Sequence, residues 1–331
     1  MTGAVWVRCV GLISVWLILA LSFADARAAE AAPAWAYAIT PLDNRDATAL
    51  TLPGSARTFT RAQLTDPFEP ADWYPKDHPQ MPRVVSHGRA PLVFACAFCH
   101  HPNGQGRPEN AGIAGLPKVY IAQQMRDFRD GLRHNALALK GNTRIMVTAA
   151  QVMTEAEIES AAAYFSAMPW RPWIRVVETD TVPVTDLRLG MYLVRGGAGA
   201  GTEPIAGRIV EVPEDEDRSE YRRDPRSGFV AYAPVGSLTR GAALVNEGLG
   251  RTTPCRTCHG AKLEGAGDVP AIRGRSPSYL ARQLYDFRRG TRMGRMAGPM
   301  MPVVERLSVD DIRDTSAYLA SLPPTPAGDG F

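Results

Sequence analysis

Two stretches of the chain repeat one arrangement of reactive side chains: Cys96-Ala97-Phe98-Cys99-His100 and Cys255-Arg256-Thr257-Cys258-His259. Two thiols three residues apart on one helical turn can each add across a vinyl group of a haem. The His that follows then lies under the iron as its proximal ligand, which makes C-x-x-C-H the attachment signal of a c-type haem. Four thiols would also suffice for one Cys₄ zinc centre, and each pair could close as a short disulfide. Neither alternative accounts for the His that directly follows both pairs. The motifs therefore imply two covalently bound c-type haems. The chain has five Cys, and the fifth, Cys9, lies near its start.

Met1 to about Ala29 reads as a secretory signal. Arg8 supplies the positive charge, Val10–Phe23 the apolar run, and Ala24-Asp25-Ala26 or Ala26-Arg27-Ala28 a cleavage site. The run is short of the ~20 residues a membrane span needs, which favours cleavage over an uncleaved anchor. Cys9 precedes the run and so does not look like a lipoprotein acceptor. Because bacteria attach c-type haem after export, the chain is expected in the periplasm, soluble or loosely tethered. A formal charge of +3 without a strong basic face argues against nucleic acid as a partner.

The surroundings of the motifs repeat as well. Cys96 and Cys255 are 159 residues apart, and that offset pairs Ile113 with Ile272, Gly115 with Gly274 and Tyr120 with Tyr279. It overlays Tyr120–Gly131 on Tyr279–Gly290 with shared Ala, Gln, Asp, Phe, Arg and Gly, at helical spacing and ending on Gly. Further on the offset is 154, pairing Tyr164 with Tyr318 and Pro169 with Pro323, so the second copy is shorter in the intervening loop. Thr154 with Glu157 predicts a capping box on the final helix, and Ser308 with Asp311 places an acid at the same station. Each copy reads as a haem-bearing helix, a loop, a middle helix, a ligand loop and a final helix.

The repeat also nominates distal ligands. Eight residues before Thr154 stands Met146, and eight before Ser308 stands Met300, with Met301 the alternative if the loop slips by one. Met153 aligns with Leu307 and Met125 with Leu284, so both are expected in the core. Met293 and Met296 read as packing or surface residues. His101, opposite Gly260, is expected to face solvent, and His134 is a weaker alternative ligand. His78 and His87 read as surface or structural.

The order of haem motif, Y-L-x-x-Q-L-x-D-F-R-x-G helix, Met-containing loop and final A-Y-L/F helix resembles class I cytochromes c. Two such units in one exported chain resemble the diheme cytochrome c4 and c553-type carriers, over about 91–170 and 236–323. The resemblance implies a mainly α fold of two tandem class I cytochrome c domains, at 91–170 (haem 1) and 236–331 (haem 2). It implies that Cys96, Cys99, Cys255 and Cys258 anchor the haems, that His100 and His259 are proximal iron ligands, and that Met146 and Met300 are distal. In this family a carbonyl at a Pro accepts the proximal imidazole N–H. The second copy has Pro270 there and the first Ala111, so the haems are expected to differ in potential.

Two regions lie outside the resemblance. Residues 30–90, after the signal peptide 1–29, form an irregular Pro- and aromatic-rich N-terminal extension, read as a wrap over the first domain. Residues 171–235 read as a small β-rich insert between the domains. Its strand candidates are Trp173–Thr181, Met191–Arg195, Ile205–Val212 and Gly228–Ala233, with Gly196–Gly201 as a hairpin loop and Glu211–Arg226 as a solvated turn.

Met/His ligation saturates an iron and leaves no open position for substrate, so no catalytic residue is assigned. The expected function is a periplasmic diheme carrier of single electrons in a respiratory or dehydrogenase chain. Its partners would be redox proteins: a dehydrogenase, another cytochrome or a terminal oxidase. The rivals are a diheme enzyme, either a peroxidase or an oxidoreductase of a small inorganic substrate, and the cytochrome subunit of a periplasmic dehydrogenase complex.

Overall fold

Closely spaced prolines remove backbone donors and fix φ, so the extension forms only short elements. These are β1 (Ala49–Thr51), β2 (Thr58–Thr60), the one-turn helix α1 (Arg61–Leu64), and α2 (Arg83–Ser86), which begins behind Pro82. The protein is seen here as a computed structural model that describes residues 47–188, 190–196, 199 and 201–324. The signal segment, Cys9, the start of the extension and the last residues of the chain lie outside the described residues.

β1 and β2 pair antiparallel, and Leu50, Leu52, Leu64, Trp73 and Tyr74 bury together with Tyr221 of the insert against them. Trp73 Nε1–H donates to the Arg222 carbonyl at 2.8 Å, Arg61 donates to the Glu220 carbonyl at 3.0 Å, and Arg226 pairs with Asp77. The extension therefore closes its own small core on the insert. It also meets the first repeat, where Ala95 N–H donates to the Pro67 carbonyl at 2.8 Å.

One contact of the extension depends on the protonation of a histidine. His78 Nε2 lies 3.2 Å from Asp72 Oδ1 and its Nδ1 2.9 Å from the Pro79 carbonyl, and the Asp72 bond raises its pKa above the usual value. A raised folded-state pKa gives stability that is complete below the unfolded value of about 6.5 and lost as pH climbs through the folded one. From pH 6 to 8.5, the wild type should lose more stability in urea than Asp72→Asn. Equal losses would show that the pair does not contribute.

The first repeat holds α3 (Cys96–His100), α4 (Lys118–Arg129), α5 (Gly141–Val152) and α6 (Glu155–Ser166). Between the repeats run β3 (Ile174–Glu178), β4 (Thr181–Pro183), β5 (Thr185–Arg188), β6 (Met191–Val194), β7 (Thr202–Pro204), β8 (Val210–Pro213) and β9 (Phe229–Ala233). The second repeat holds α7 (Ser237–Glu247), α8 (Arg256–His259), α9 (Pro277–Arg288), α10 (Met301–Val304) and α11 (Val309–Ser321). The fold is mainly helical with some strands, and among the described residues no helix is long and apolar enough to cross a membrane.

The helices keep the register of the repeat. α4 and α9 overlay at the offset of 159, and both α6 and α11 start in full capping boxes, because Asp311 reaches back to the Ser308 N–H as Glu157 does to Thr154. Met153 and Leu307 occupy the same station in their separate cores. Two elements differ between the copies. α7 has eleven residues, whereas its counterpart before the first motif is the four-residue α2, cut short by Pro79 and Pro82. The expected ligand loop is helical around both Met residues. Asn142–Val152 holds no Gly or Pro and forms α5, while Gly298, Pro299 and Pro302 confine the second copy to a 3₁₀ turn, Gly298–Met300, followed by α10.

In the insert, β3 runs parallel to β9, which pairs antiparallel with β8; β4 pairs with β7 and β5 with β6. β6 and β7, on either side of Gly196–Gly201, pair with β5 and β4 rather than with each other; Gly197, Ala198 and Ala200 of the expected hairpin loop lie outside the described residues. The charge run Glu211–Arg226 is a solvated turn only at Glu214–Asp217, which are exposed. Glu211, Glu220 and Asp224 are buried, held by Ser276 and Ser278, by Arg107, and by Arg218 respectively. Partners more than sixty residues away in sequence account for two of the three.

Candidate cofactor sites

α3 and α8 carry the two motifs, and each ends on a buried His. His100 Nδ1 lies 2.7 Å from the Ala111 carbonyl, and His259 Nδ1 2.8 Å from the Pro270 carbonyl. A carbonyl only accepts, so Nδ1 carries the proton and Nε2 keeps its lone pair. Burial lowers the pKa of both imidazoles and holds them neutral. The backbone carbonyl survives at Ala111 without the proline ring, as the repeat required.

Each His opens on a cavity. The second-repeat cavity, about 410 Å³, is lined by Cys255, Cys258 and His259, with Leu280, Leu284, Phe287, Leu307 and Met300 among its apolar walls. The first-repeat cavity is narrower, about 130 Å³, and includes Cys99, His100, Leu116, Phe128 and Met146. The first site must part its walls further to take a macrocycle. In donor chemistry both sites fit a c-type haem: thiol, neutral imidazole with a free Nε2, apolar wall and thioether. Among the described residues no group of three or more His, Cys, Asp or Glu is arranged to hold a metal ion, and the four motif cysteines are unbridged.

The repeat-derived Met residues divide clearly. Met146 lines the first cavity and Met300 the second, whereas Met301 packs with Met300 against the second core and is not on the cavity wall. Met296 does line the second cavity, a position the sequence reading left to packing or surface. Met293 is exposed. His134 borders the first cavity, but its Nε2 is 2.5 Å from the Gly131 carbonyl of its own loop.

His101 is a correction: it is buried, not solvent-facing. Its φ of 60° matches the left-handed Gly260 of the second copy at 85°, and the insert covers it. Burial, with Arg223 and Arg107 close by, holds its pKa well below the usual value.

Sequence reasoning missed the polar groups around the cavities. Arg133 and Arg292, also 159 apart, are both buried where the two repeats meet. Arg133 donates to Gln124 (2.8 Å) and Gln283 (2.8 Å) and reaches Tyr279; Arg292 donates to Gln283 (3.0 Å), Gln124 (2.9 Å) and Tyr120 (2.7 Å). Asp127 accepts from Arg295 N–H and Asp286 from Ala136 N–H, again as a matched pair. Tyr120, Gln124, Tyr279 and Gln283 line both cavities, so this seam lies between the two sites. The shared G-x-R after each middle helix was the available signal. Lys140, buried on the first cavity wall with its pKa drawn down by burial, had none.

Two helical repeats, each carrying a pair of motif thiols and presenting a neutral imidazole and a thioether at a cavity, define a c-type cytochrome with two haem sites. The cytochrome c family model matches residues 239–323. Cytochrome c-554(548) of Halomonas halodenitrificans is 37% identical over 68 residues, 20% of this chain and 82% of that protein. The thiosulfate dehydrogenase electron acceptor of Thiomonas intermedia (strain K12) is 26% identical over 240 residues, 71% of this chain and 82% of the relative. Cytochrome c4 of Stutzerimonas stutzeri is 36% identical over 80 residues, 22% of this chain and 34% of that protein. The chain belongs to the cytochrome c family. It is a diheme electron-transfer protein with two covalently bound c-type haems.

Proposed function

We propose that this cytochrome is a periplasmic single-electron carrier whose irons are closed by His100 with Met146 and by His259 with Met300. The observation that carries the reading is the matched pair of cavities, each with an imidazole fixed through Nδ1 and a thioether on its wall. When bound, the haem supplies a one-electron iron couple. The chain does the rest. Cys96, Cys99, Cys255 and Cys258 tether the group, the Ala111 and Pro270 carbonyls orient the imidazoles, and the apolar walls exclude water.

The spectrum of the oxidised holoprotein tests this. A far-red methionine–iron band accounting for both haems is the expected result; a high-spin haem would revive the enzyme reading. The sites should also titrate unequally. Pro270 against Ala111, and a wide apolar cavity against a narrow one walled by Lys140, Glu109 and Arg282, give the irons different surroundings. A potentiometric titration should therefore require two one-electron steps, whereas a single step fitting both haems would show that these differences cancel.

The named role of the Thiomonas relative supports a dehydrogenase as electron donor, thiosulfate dehydrogenase first among them. Rapid mixing of that enzyme and thiosulfate with the oxidised cytochrome should reduce both haems. Export through the N-terminal signal would put the protein in the periplasm with such an enzyme.

A further inference from the structure

The two repeats differ in what covers the edge beside each haem motif. After the first motif, Pro102, Gln105 and Arg107–Glu109 are buried; in the second copy the corresponding Ala261, Glu264 and Ala266–Asp268 are exposed. The insert makes the cover. The Arg223 guanidinium stacks over the Phe98 ring at 4.6 Å and donates to the Phe98 carbonyl, inside the motif itself. Asn103 donates to the Pro225 carbonyl at 2.7 Å, Gln105 to the Ser227 carbonyl at 3.0 Å, and Arg107 pairs with Glu220. Around the second motif Arg256, Thr257 and Cys258 are themselves exposed.

Charge follows the same division. Pro91–Asn103 contains no Asp, Glu, Lys or Arg, whereas the corresponding Gly250–Lys262 contains Arg251, Arg256 and Lys262 and no acid, the exposed Glu264 and Asp268 lying just beyond it. Arg251 is answered by Asp311 of its own repeat at 2.6 Å. Arg295, exposed, shares the second cavity wall with Cys258 and adds another cation to that rim.

We propose that the protein exchanges electrons through one port, the edge of the second repeat around Arg256–Cys258 and Lys262, and that its partner there is an acidic one-electron redox protein. The insert closes the equivalent edge of the first repeat, whose electrons pass through the second by way of the seam. A cationic rim steers an acidic partner into productive encounters, and salt screens that steering. The proposal rests on the carrier reading above.

The test uses the full holoprotein and reduced flavodoxin, an acidic one-electron donor, in stopped flow at low and high ionic strength. Arg256→Glu with Lys262→Glu should slow haem reduction about tenfold or more at low salt and converge on the wild type at high salt. Arg171→Glu with Arg188→Glu, the same charge change on exposed residues of the insert, should leave the rate within about twofold of wild type. Equal slowing by both pairs overturns the proposal, since net charge alone would then set the rate. No slowing by the first pair overturns it as well. A high-spin haem in the wild-type preparation defeats the underlying carrier reading instead, so the two failures are distinct.

Discussion

Met300→Ala in the holoprotein is expected to remove about half of the far-red methionine–iron band and to lower the potential of one haem by roughly 0.1–0.3 V. That is a fraction of the ~0.8 V range over which axial ligands set haem potentials. Met146→Ala should remove the other half and lower the other potential. The expectation rests on the cavity walls, where Met146 and Met300 each stand with the His of their own repeat. Met301→Ala should leave the band intact, because that side chain packs against the second core behind Met300. Met296→Ala is the sharper control, since Met296 does share the wall. Loss of the band in Met296→Ala, with retention in Met300→Ala, would move the ligand to the earlier part of the loop. Loss in Met301→Ala alone would shift the register by one residue.

Gly241→Val is expected to cost the second repeat about 3 kcal/mol or more, the upper end for forcing volume into a packed interface. A Cβ at Gly241 would lie 2.1 Å from the Asp314 carbonyl oxygen and 2.8 Å from Tyr318 Cβ, so α7 sits against the backbone of α11. That backbone has little room to retreat. Asp314 is held by Arg240 at 2.6 Å and by Arg313 at 2.8 Å, and both neighbouring turns of α11 are buried. About 3 kcal/mol is more than a hundredfold in the folded population. Urea unfolding of wild type and variant measures it directly. The first repeat should keep its haem spectrum in moderate urea while the second loses its own. A variant as stable as the wild type would show that α7 does not pack this closely.

Much of the haem machinery was legible because it is local and repeated. C-x-x-C-H defines its own helix turn, an offset of 159 from one copy to the other located the middle helix, and an offset of 154 the caps on α6 and α11 and one Met on each cavity wall. What stayed hidden depends on partners distant in sequence. His101 looked solvent-facing because nothing near it in the chain says that Arg223 and its neighbours will cover it. Glu211, Glu220 and Asp224 read as a surface run because their composition is that of one. Their burial becomes intelligible only when Arg107 and the start of α9 are placed beside them. α5 was read as a loop from the need for a ligand there, although Asn142–Val152 contains no residue that would break a helix.

The cover over the first motif has a consequence for maturation. Phe98 and Arg223 are 125 residues apart in sequence, and Trp73 and Arg222 are 149 apart. A chain exported from its N-terminus thus presents Cys96 and Cys99 before the segment that will seal them has crossed the membrane. Joining the first haem to its thiols is the step favoured while that side is still open, and the lid then closes over a finished site. Order of assembly is written into the distance between a motif and the residues that shut it.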